Sequence, residues 1–80
     1  MRQTRPPALK DAAAAYAAAQ EAYATALRES ADVYERLLAR PDSLEYQIDW
    51  DVARRHEAAL AARVRTALER YREAGGDPGQ

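Results

Sequence analysis

Eighty residues make at most one domain, and a chain this short encloses only a small core. Cysteine is absent and His56 is the single histidine, so neither a disulfide nor a self-contained structural zinc site can staple the fold. A net charge of −1 supplies no overall field to attract nucleic acid or an anionic membrane, which leaves association with another chain as the remaining staple.

The composition favours helix. Alanine, the strongest helix former, occurs twenty times, and there are eleven arginines against one lysine. That bias is the mark of a GC-rich bacterial coding sequence; it bears on source and not on role. The charge-poor stretch Ala12–Gln20 is too short and too weakly apolar to span a bilayer. It also lacks the Leu or Val of a signal-peptide core. The default expectation is a soluble, cytoplasmic protein.

Residues 1–7 read as a flexible basic arm. Pro7 suits a first helical position, where its missing N–H costs nothing. From Ala8 to Ala39 there is no Gly or Pro, enough for a helix roughly 48 Å long. Pro41 stops it and pushes Arg40 out of helical geometry. Asp42, followed three residues later by Glu45, has the form of a capping box, so a second helix is predicted from about Ser43. It ends before Gly75, a residue suited to a left-handed cap, and residues 75–80 read as a flexible tail. The expected fold is therefore all-α: an antiparallel hairpin of helices over about 8–39 and 43–74, completed as a four-helix bundle by self-association or by a partner.

One segment carries a competing pattern. Leu44, Tyr46, Ile48, Trp50 and Val52 alternate with polar residues, as in a strand. Yet Tyr46, Trp50, Ala53, Glu57 and Leu60 begin a 4-3 seam that continues through Val64, Ala67, Tyr71 and Ala74. Helix is the better reading, because a lone strand has no partner here.

In the first helix the same spacing selects Leu9, Ala13, Tyr16, Gln20, Tyr23, Leu27, Ser30, Tyr34 and Leu37. Folding at residues 40–42 pairs positions whose numbers sum to about 83. Tyr34 then meets Trp50, Tyr16 meets Ala67 and Ala13 meets Tyr71, so that large often faces small. Arginines flank the second seam, Arg54, Arg65 and Arg72 on one side and Arg63 and Arg70 on the other. Glu21, Glu29, Asp32 and Glu35 are their expected partners across the hairpin.

Two groups of residues fall outside these seams and are the candidate partner-binding surfaces. One is Leu44, Ile48 and Val52, an i, i+4, i+8 strip near the bend. The other is Ala12, Ala19, Ala26 and Val33, a line of small residues that lets another helix approach. Glu57 and His56 read as seam-edge and surface residues. The sequence has no nucleophile–base set, no glycine-rich phosphate loop and no Glu-x-x-His pair, so no catalytic residue, cofactor, metal or small-molecule substrate is expected.

The length and hairpin form are similar to the small secreted helical hairpins of the WXG type. Their Trp-x-Gly bend is replaced here by Arg40-Pro41-Asp42, with Trp50 two turns into the second helix, and the chain is not assigned to them. The expected role is contact: a homo-oligomer, most simply a dimer, or a hairpin bound to another helical protein, serving as adaptor, small regulator or assembly subunit. The alternative is a nucleic-acid accessory protein using Arg54, Arg65 and Arg72.

Overall fold

The computed structural model describes residues 9–77; the predicted arm at 1–7 and the end of the predicted tail lie outside them. Two α-helices, α1 (Leu9–Ala39) and α2 (Leu44–Glu73), pack against each other as a hairpin. The alternating segment at 44–52 is helical from its first residue. Its tyrosine and tryptophan join the longer seam, and tertiary packing overrides the local period-two pattern.

The bend shows how the second helix starts. Ser43, in an extended conformation, is the N-cap: its Oγ accepts from the Tyr46 N–H at 3.2 Å. The expected cap at Asp42 is therefore displaced by one residue. The chain leaves α1 through a turn in which the Ser43 N–H donates to the Arg40 carbonyl, so Ser43 and not Asp42 reaches the helix entrance. Gln47 Nε2 donates to the Pro41 carbonyl at 2.8 Å and ties the bend to the first turn of α2.

The far end closes as expected. Gly75 adopts a φ of 101°, its N–H donates to the Arg72 carbonyl, and the Gly76 N–H donates to the Tyr71 carbonyl. This pair of bonds satisfies the last carbonyls of α2 in a Schellman cap.

The seam of α2 is the expected one. Leu60 is buried, and Tyr46, Trp50, Ala53, Glu57, Val64, Ala67, Tyr71 and Ala74 are half-buried. The seam of α1 is not. Tyr16, Tyr23, Ser30 and Leu37 face α2, but the alternate positions are Ala12, Ala19, Ala26 and Val33. Ala12 and Ala26 are 5% and 2% exposed. Leu9, Gln20, Leu27 and Tyr34, expected in the seam, are exposed, and Ala13 is half-buried. The physical reason is close approach: side chains at the contact set the distance between two helices, and a line of methyls permits a short one. On α2 the matching line is also small, with Ala53, Ala67 and Ala74 around Leu60.

Aromatic pairs mark the register. Tyr34 packs on Trp50 as expected, with ring centroids 4.9 Å apart. Toward the open end Tyr16 stacks on Tyr71 at 5.5 Å, in place of the expected Tyr16–Ala67 and Ala13–Tyr71 layers. Large meets large there, and offset stacking makes that favourable.

Candidate interaction surfaces

The hairpin buries little. Among the described residues the buried apolar side chains are Ala12, Ala26 and Leu60, so Leu60, at 6% exposed, is the one large side chain among them. Seven large apolar residues are exposed among those described, and six of them (Leu27, Tyr34, Leu38, Leu44, Ile48 and Val52) lie in the half nearer the bend. Two packed helices shield only one stripe of each, and the remaining apolar surface stays in water.

The first candidate surface is open. Leu44, Ile48 and Val52 are 67%, 54% and 57% exposed, on the side of α2 turned away from α1. Glu45, Asp49 and Asp51 border it. The second candidate is corrected. Ala12 and Ala26 are buried and Ala19 and Val33 half-buried in the seam, so this line is occupied by α2 and offers no free contact face.

A surface missed from the sequence replaces it. Leu27, Tyr34 and Leu38 stand 42%, 43% and 61% exposed along α1, on the flank that also carries Ala31. Their 4-3 spacing was the signal that could have revealed them as a line of their own. On the opposite flank, an open groove of about 720 Å³ runs between the helices, lined by Ala15, Ala18, Ala22, Ala59, Ala62 and Arg63 among others. Methyl groups dominate its walls, and Asp11, Arg63, Thr66 and Arg70 are its polar members.

The charged residues are dispersed. The ion pair formed by the described residues is Arg55–Asp51 at 2.9 Å, within α2 and largely in solvent, where it contributes little. The expected arginine–carboxylate pairs across the hairpin do not form. Arg54 instead lies over the Trp50 ring at 5.9 Å, a cation–π contact. Arg65 and Arg72 are exposed. His56 is exposed and Glu57 half-buried, neither in a hydrogen bond or ion pair. The described residues contain no His, Cys, Asp and Glu grouping fit to hold a metal ion. No helix among them is long and apolar enough to cross a membrane.

Comparison with protein-family models, with curated proteins and with solved structures finds no match.

Proposed function

We propose that the chain is a non-enzymatic interaction protein, a helical hairpin that self-associates and serves as an adaptor, small regulator or assembly subunit. One observation carries the reading: among the described residues seven large apolar side chains are exposed, whereas Leu60 alone is buried and the others are half-buried. Contiguous exposed apolar surface on a small chain marks a contact site. A hairpin whose one large buried side chain is Leu60 is also short of core, and a further layer of helices adds what it lacks.

The molar mass in solution tests this. Light scattering at tens of micromolar, roughly the range in which weak dimers form, is expected to report a dimer or larger species. A stable monomer at that concentration removes self-association.

A further inference from the structure

Outside its seam, α1 carries a second line that runs from Ala13 to Leu38 in the same 4-3 steps. Every position on it is exposed or half-buried, and Gln20 is its only fully polar member. Helical geometry turns this line about 100° from the seam. That is close to the right angle between neighbours at the corner of a four-helix bundle.

We infer that this line is the contact face for a second copy of the chain, set with its α1 antiparallel to the first across a two-fold axis. The inference rests on the self-association proposed above and names its surface and register.

Size complementarity selects the register. With the axis passing between Ala24 and Leu27, Leu38 falls opposite the partner's Ala13, Tyr34 opposite the partner's Ala17, and Leu27 opposite the partner's Ala24. Each large side chain meets a methyl, and the two-fold repeats every pair. Slipping by one heptad sets Leu38 against the partner's Gln20, or Tyr34 against the partner's Lys10.

Charge complementarity points the same way. Glu21 and Arg28 lie on the outer rim of the line, seven residues apart in one helix, which separates them by about 10 Å. Neither is in an ion pair, and Arg28 donates only to Thr25 Oγ1, at 3.1 Å. In the antiparallel dimer each Glu21 lies beside the partner's Arg28, twice by symmetry. The outer strip of α2 is the poorer face for a second copy. Glu45 and Asp49 border it without a basic partner, and Asp51 is already paired with Arg55, so two such strips in contact bring unpaired like charges together. The α1 line is about 39 Å long. One helix face of that length gives an interface near the small end of the specific range.

A charge swap tests the arrangement. Sedimentation equilibrium is run on the unaltered chain, on Glu21→Arg, on Arg28→Glu and on the double variant. Each single reversal sets like charges together at both symmetric sites and is expected to weaken the dimer about tenfold. The double variant restores the opposite-charge pairs and is expected to recover most of that loss. Circular dichroism should show the same helicity throughout, because both side chains are exposed. A dimer that ignores the single reversals, or that the double variant fails to restore, overturns the α1 contact and leaves self-association standing. A monomer under all conditions overturns both.

Discussion

The Tyr34 ring lies 4.9 Å from the Trp50 ring, tilted by 42°, while Arg54 covers that tryptophan from 5.9 Å. A flank of the seam near the bend is thus a layered aromatic and cationic stack. Tyr34→Ala removes the pair and part of the apolar contact, and is expected to cost about 1–2 kcal/mol. Tyr34→Phe keeps the ring and should stay within about 0.5 kcal/mol of the parent. Urea unfolding followed by the fluorescence of Trp50, the single tryptophan, measures both. Equal midpoints for the two variants would contradict the stack.

Ser30 is 4% exposed, and its Oγ has no hydrogen-bond partner. An unsatisfied buried hydroxyl costs about 1–3 kcal/mol. Ser30→Ala therefore stabilises the hairpin, and a gain of about 1 kcal/mol raises the melting temperature by roughly 4–8 °C at fixed protein concentration. A lower melting temperature would mean that the hydroxyl has a partner in solution.

The two ends of α2 give a matched pair of tests. Ser43→Ala removes the N-cap acceptor for the Tyr46 N–H and should lower stability by about 1 kcal/mol, whereas Asp42→Ala should change it by less than about half of that. At the other end, Gly76 packs so closely on the Tyr71 ring that an added Cβ meets it, and Gly75 holds a φ of 101°. Gly75→Ala is expected to cost about 1 kcal/mol through backbone strain alone. Gly76→Ala should also displace Tyr71 from Tyr16, which near-ultraviolet circular dichroism reports.

Retention on duplex DNA is expected to be negligible even at low salt. Exposed arginines of α2 are split between two flanks, Arg54, Arg65 and Arg72 on one and Arg63 and Arg70 on the other, and the chain carries a net charge of −1. Tight binding that weakens steeply with salt would favour the nucleic-acid reading instead.

Most of the architecture was legible in the sequence. Pro41 and Gly75 punctuate it strongly, and the α2 seam is unambiguous because its flanks are charged. The α1 seam was not legible. Tyr16, Tyr23, Ser30 and Leu37 belong to two rival 4-3 lines, one completed by Ala13, Gln20, Leu27 and Tyr34, the other by Ala12, Ala19, Ala26 and Val33. Ranking by hydrophobicity chooses the first. Packing chooses the second, because small side chains let the helices approach and leave Leu27 and Tyr34 at the edge. The same ranking assigns Ala13, Gln20, Leu27 and Tyr34 to the seam, so the exposed flank of Leu27, Tyr34 and Leu38 does not stand out in the sequence. The Ser43 cap was missed for a smaller reason: two adjacent residues, Asp42 and Ser43, are both good caps, and the turn geometry decides between them.

The two aromatic pairs close chain segments of very different length. Tyr34 and Trp50 span the bend, whereas Tyr16 and Tyr71 join positions near opposite ends of the chain. Loop-closure entropy rises slowly with length, so the second closure costs about 1 kcal/mol more than the first. The hairpin should therefore zip from the bend outward and open from its termini inward, with amide exchange fastest beyond Tyr16 and Tyr71 and slowest around Ala26 and Leu60. Leu27, Tyr34 and Leu38 sit in the part that forms first. The Tyr34–Trp50 pair is thus in place before the Tyr16–Tyr71 pair can form, and the ends of the chain are the part of the hairpin most readily opened.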